Sequence, residues 1–152
     1  MNKKTIITAA IIIGLIFGFY LLQAPREVRG EMEVYMGENC QCCEVYANIM
    51  SRSYEVEKKV LSNVEFGELK NEWGIPRELS SCHTTIIDDY LVEGHIPMEA
   101  IEELRKTGKE IEGIGMAGMP AGSPGMGGFK NEPFEIYEIS EPNLKGNLFL
   151  EL

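Results

Sequence analysis

Basic residues are scarce in this 152-residue chain: 14 Lys and Arg stand against 24 Asp and Glu, giving a formal net charge of −10 and a pI near 4.7. Proteins that neutralise a phosphate backbone need clustered Lys and Arg, so nucleic acid is excluded as a partner. No Ser-His-Asp set, glycine-rich phosphate loop or H-E-x-x-H pattern stands out, which leaves hydrolase and nucleotide-binding readings without support. Histidine is limited to His83 and His95, and no internal repeat is visible. Long uncharged apolar runs are missing too, with one exception. Thr5 to Gln23 carries no charge, is mostly Ile, Ala, Leu, Gly and Phe, and directly follows Lys3 and Lys4. About 20 such residues span a hydrocarbon core, so residues 1–25 predict one N-terminal transmembrane helix, an uncleaved anchor; a signal peptide cut nearby would leave much the same domain. The positive-inside rule keeps Lys3 and Lys4 cytoplasmic, a bias that Arg26 and Arg29 weaken, and places the rest of the chain outside.

Residues 31–152 are long enough to bury a core without disulfide support, and one domain is the economical reading. Glu33 to Met36 alternates like a strand that Gly37 breaks. Helical spacing follows from Cys43 to Arg52, then a second strand from Tyr54 to Leu61. Ser62 and Glu65 match a capping box, opening a helix with Val64, Phe66, Leu69 and Trp73 on its apolar face. Thr84–Ile87 and Tyr90–Glu93 read as a hairpin turning at Asp88-Asp89. Pro97 opens a third helix that faces Met98, Ile101 and Leu104 inward. The order β-α-β-α-β-β-α, with cysteines between the first strand and first helix, is by analogy the thioredoxin-like arrangement. If the first hairpin strand runs antiparallel to strand one, Cys82 lies beside Cys40. Gly113 to Gly128 holds seven glycines, three methionines and two prolines and reads as neither ordinary helix nor strand. Phe134–Ile139 and Asn147–Leu150 read as late strands. The fold class predicted is α/β: a thioredoxin-like domain with a loop-rich C-terminal extension from about residue 107, preceded by the transmembrane helix.

Cys40-Gln41-Cys42-Cys43 is the most informative string, because it crowds three thiols into one turn at a predicted helix start. Helix N-termini stabilise thiolate, lowering a thiol pKa from about 8.5 toward the ~3.5–7.5 range; such thiols are reactive or metal-bound. Four readings are open. A structural disulfide framework suits four cysteines in an exported protein, although adjacent Cys42 and Cys43 cannot bridge each other without strain. Cys40 and Cys43 frame a C-x-x-C pair for thiol-disulfide exchange, in which Cys42 would compete. Zinc needs a second ligand pair, and only Cys82-His83 is on offer, adjacent residues that point to opposite strand faces unless the strand begins late. Copper uses the most residues, since soft thiolates and thioethers favour Cu(I). Met119 and Met126, in the Gly-Pro loop, could supply thioethers or merely cap a hydrophobic surface. His83 and His95 are ligands, orienting residues or ordinary buried histidines.

The chain resembles the CopG proteins of bacterial copper resistance. The resemblance spans most of residues 31–152 and rests on Cys40-Gln41-Cys42-Cys43, Gly74-Ile75-Pro76, Ser81-Cys82-His83-Thr84, Val92-Glu93-Gly94-His95-Ile96-Pro97 and Gly118-Met119-Pro120-Ala121-Gly122-Ser123-Pro124-Gly125-Met126. It implies a thioredoxin-like domain, exported to the periplasm, that binds copper in a thiolate cluster and takes part in Cu(I)/Cu(II) interconversion. Cys40, Cys42 and Cys43 match the family's C-x-C-C metal motif and Cys82 its later cysteine, while His83, His95, Met119 and Met126 match motif positions of unassigned role. Met116 departs from the family's plain apolar residue, and the N-terminus reads as a retained anchor. The resulting expectation is a membrane-anchored protein on the extracytoplasmic face, periplasmic or at the cell surface. It would hold one or more copper ions and meet copper-handling partner proteins. Storage, chaperoning and a copper oxidoreductase activity all fit this sequence, with thiol-disulfide exchange through Cys40 and Cys43 as the rival.

Overall fold

The computed structural model describes residues 2, 11–18, 28–108 and 110–152. Among the described residues from Val28 onward, ten elements build a mixed α/β fold in chain order: β1 (Glu31–Gly37), α1 (Gln41–Met50), β2 (Glu55–Leu61), α2 (Asn63–Glu72), β3 (His83–Ile87), β4 (Tyr90–Glu93), α3 (Met98–Thr107), β5 (Gly113–Gly115), β6 (Glu135–Glu141) and β7 (Leu144–Glu151). The strands form one sheet in the order β2-β1-β3-β4-β5-β6-β7. β1 pairs with β2 in parallel and with β3 antiparallel, and Met36 lies opposite His83. Strand alternation then decides the two faces. Met32, Val34 and Met36 join Tyr46, Ala47 and Met50 of α1 and Ala100, Ile101 and Leu104 of α3 in the main core. Ile75, Leu79, Leu91 and Ile139 pack with Trp73, Ile86 and Tyr137 in a smaller cluster.

Local signals account for most element ends. Ser62 and Glu65 form the reciprocal capping box at the start of α2, so two otherwise orphan N–H groups are satisfied. Asp88 and Asp89 both adopt positive φ, 47° and 68°, as a two-residue hairpin turn requires. The apolar face assigned to α2 is narrower than its spacing predicts: Phe66 and Lys70 are its buried residues, while Val64 is 71% exposed.

Two expectations are corrected. Among the described residues no helix is long and apolar enough to cross a membrane. Of the Thr5–Gln23 stretch, residues 11–18 are described as helix. Lys3, Lys4 and the remainder of that stretch lie outside the described residues. The transmembrane helix, and the membrane partner inferred from it, are not upheld. The C-terminal extension is rich in loop, as expected, but its strands β5, β6 and β7 continue the same sheet, and one of them was not foreseen. β5 falls inside the segment read as unable to form a strand. Glycine is what permits it: a Cβ at Gly113 would lie 1.8 Å from the Leu91 carbonyl oxygen, so only a residue without one can sit in register beside β4.

Candidate metal centre

The centre forms where β1 ends. Asn39, at φ 62°, turns the chain after Gly37, and Cys40 becomes the residue capping α1. Cys42 and Cys43 occupy its first turn, Cys43 fully buried against the core and Cys42 partly exposed. Antiparallel pairing of β1 with β3 brings the far cysteine alongside, as its predicted neighbour relation required. Cys42 Sγ lies 3.5 Å from Cys40 Sγ and 3.6 Å from Cys82 Sγ. All four sulfurs fall within 4.8 Å of one another. Two donors each about 2.3 Å from a common ion can be at most about 4.6 Å apart, so the Cys40–Cys42 and Cys42–Cys82 spacings suit shared ligation. Cys40 and Cys43 are joined as a disulfide, whereas Cys42 and Cys82 are free.

A second donor group overlaps the first at Cys82, whose Sγ is 3.0 Å from His95 Nε2 and 3.5 Å from His83 Nδ1. The strand does begin late: β3 starts at His83, so Cys82 precedes the alternation that would have kept the two side chains apart. His95 Nδ1 lies 2.7 Å from the Pro124 carbonyl oxygen. That oxygen can only accept, so Nδ1 carries the proton and Nε2 presents its lone pair toward Cys82. His83 is wholly buried, and its Nε2 has no hydrogen-bond partner among the described residues. Its ring packs 4.2 Å from Tyr46 and 4.7 Å from His95.

Electrostatics hold both imidazoles neutral, the form that ligates. Burial first, then the proximity of the His95 ring and of the Lys70 ammonium, pushes His83 down to about 3, and burial lowers His95 as well. Cys82 moves the other way. Burial first, then its contact with Cys42, raises its thiol to about 12, so binding a metal there must displace a proton. The lowered pKa that the helix start predicts for the motif does not extend to this cysteine, which reaches the cluster from outside the helix.

The Gly-Pro loop closes over the centre through its backbone. A Cβ at Gly125, where φ is +86°, would lie 2.8 Å from the Cys42 carbonyl oxygen and 3.0 Å from the Tyr46 nitrogen. Met126 follows it and is half-buried, Met119 is 52% exposed, and Met116 is a core residue. Sequence reasoning missed Tyr46, read as one more position in the helical spacing of α1, and the buried pair Lys70 and Glu93. One signal for Lys70 was available: it lies four residues after Phe66, on the face of α2 that turns inward.

Four clustered sulfurs with two neutral imidazoles, at one end of a mixed α/β sheet, define a soft-metal or thiol-redox centre. Residues 79–126, which contain Cys82, both histidines, Met119 and Met126, match the family "Protein of unknown function, DUF411". Two solved structures are similar over most of the chain. "Copper resistance protein copG- Form 1" is 28% identical, with 83% of this chain and 98% of that chain covered at a TM-score of 0.70. "Copper resistance protein copG- Form 2" is also 28% identical, covering 83% and 99% at a TM-score of 0.71. The resemblance to CopG-type copper resistance proteins is thus shown in motifs, in sequence identity and in fold. No curated protein matches the chain.

Proposed function

We propose that this protein binds copper as Cu(I), in a cluster built on the thiolates of Cys40, Cys42, Cys43 and Cys82, and serves copper resistance or homeostasis outside the cytoplasm. The convergence of four sulfurs from two distant parts of the chain within 4.8 Å carries the reading. Thiolate sulfur selects Cu(I) over harder ions, and both similar structures are copper resistance proteins. His95, with its lone pair toward Cys82, and His83 are the nitrogen donors or orienting groups, and Met119 and Met126 are candidate thioether donors of the covering loop. The Cys40–Cys43 disulfide supports an extracytoplasmic setting, where such bonds persist. Passing an electron to or from a bound ion would make the same centre interconvert Cu(I) and Cu(II).

Anaerobic reduction followed by elemental analysis and Cu(I) titration tests the reading. More than one equivalent of Cu(I), not displaced by zinc, is expected; one tight zinc with copper indifferent overturns it. The disulfide also favours a second reading, thiol-disulfide exchange through Cys40 and Cys43. Cys42→Ser separates the two, since exchange survives that change while copper stoichiometry falls.

A further inference from the structure

Behind the centre, and outside both donor groups, lies a buried ion pair. Lys70, in the last turn of α2, is 8% exposed, and Glu93, closing β4, is fully buried. Glu93 Oε1 accepts from Lys70 Nζ at 2.5 Å and from the Ser81 N–H at 2.5 Å, while Oε2 accepts from the Thr84 hydroxyl at 2.5 Å. Lys70 Nζ also donates to the Ser81 carbonyl at 2.5 Å. Both backbone groups of the residue before Cys82, and the side chain two residues after it, are therefore held by one carboxylate and its counter-ion. The same Glu93 faces Thr84 across the β3–β4 ladder and stands two residues ahead of His95. Burying two charges is costly, and well-packed apolar residues of similar volume commonly serve stability as well or better. A buried pair is thus weak evidence of a purely stabilising role.

We propose that Lys70 and Glu93 are positioning residues of the metal centre: their clamp ties the chain on either side of Cys82 to the end of β4, two residues before His95, so that Cys82 Sγ and His95 Nε2 form one preorganised donor pair. The proposal rests on these two residues being ligands. Cys82 precedes β3 and lacks the strand ladder to fix it, so the clamp supplies the restraint that a rigid element gives other ligands. Groups that orient ligands from behind typically change metal affinity by 10–100-fold when removed.

The test uses the full chain, reduced and anaerobic, with Lys70→Met/Glu93→Leu, Glu93→Gln and Thr84→Val. The double substitution removes both charges and leaves neither unpaired. Thermal midpoint, Cu(I) affinity by chelator competition, and the visible spectrum of bound Co(II) are measured on each. The double variant is expected to melt somewhat below the wild type, because the Ser81 N–H and carbonyl and the Thr84 hydroxyl lose their partners, and, while still folded, to bind Cu(I) about tenfold or more weakly, with an altered Co(II) spectrum; Thr84→Val shows a smaller fall in the same direction. Wild-type affinity and spectrum in the double variant overturn the proposal. If that variant does not fold, the same result in Thr84→Val and Glu93→Gln overturns it. Wild-type protein that binds Co(II) but no Cu(I) removes the copper reading alone, and the clamp is then judged on the Co(II) spectra. Wild-type protein that binds neither ion removes both.

Discussion

Cys82 is the residue on which both donor groups converge, 3.6 Å from Cys42 Sγ and 3.0 Å from His95 Nε2. Removing the imidazole with His95→Ala should weaken Cu(I) binding roughly tenfold or more while sparing the thiolates, and competition titration against the wild type reads this directly. His83 carries a separate consequence for stability. Its folded pKa is about 3 against roughly 6.5 in the unfolded chain, so between those values the unfolded state binds the extra proton. The stability contributed by the neutral ring is complete above pH 6.5 and is lost as pH falls toward 3, at a slope approaching about 1.4 kcal/mol per pH unit. Denaturation of reduced apo protein at several pH values, compared with His83→Gln, should show the wild type losing ground through that window; parallel profiles would refute it. The four cysteines and two histidines were legible as chemistry because their residue types are rare and their spacing is unusual. Lys70 and Glu93 were not, because nothing local distinguishes a buried charge pair from two solvated ones until the helix and hairpin are docked.

Elements position these residues through contacts that two glycines make possible. At Gly125 the covering loop rests on the first turn of α1, where φ is +86° and the Cys42 carbonyl oxygen is 2.8 Å from where a Cβ would stand. Gly125→Ala should lift the loop by combining that overlap with the left-handed backbone penalty of about 1–2 kcal/mol. The measurable result is faster alkylation of Cys42 in folded protein, and an unchanged rate would show that the loop does not seat there. Gly113→Ala should act on the sheet. A methyl group pressed against the Leu91 backbone must break the pairing of β4 with β5, and the resulting loss of stability appears as a lower denaturant midpoint. The elements through α3 were readable from the sequence, since alternation, the capping box and the Asp88-Asp89 turn each act over a few residues. β5 was hidden by its composition, because glycine there marks close approach of two backbones rather than a loop, and only the paired strand reveals which.

For the whole molecule, the proposed copper site makes metal capacity depend on the covalent state of the sulfur cluster. With Cys40 and Cys43 joined, the free donors are Cys42, Cys82 and the two imidazoles. Two electrons and two protons open the disulfide to a pair of thiols, and all four sulfurs then become available. Metal binding to thiols releases their protons, so the reduced protein should take up more Cu(I) than the oxidised protein and release more protons per chain as it does so. A strong dithiol reductant, removed anaerobically before titration, sets the two starting states, and thiol counting with a chromogenic disulfide verifies them. Loading the reduced form should then protect Cys40 and Cys43 from re-oxidation, because ligation withdraws the thiolate that would attack. Equal Cu(I) uptake by both forms would mean that Cys40 and Cys43 stand outside the centre, leaving Cys42, Cys82 and the histidines to bind metal alone.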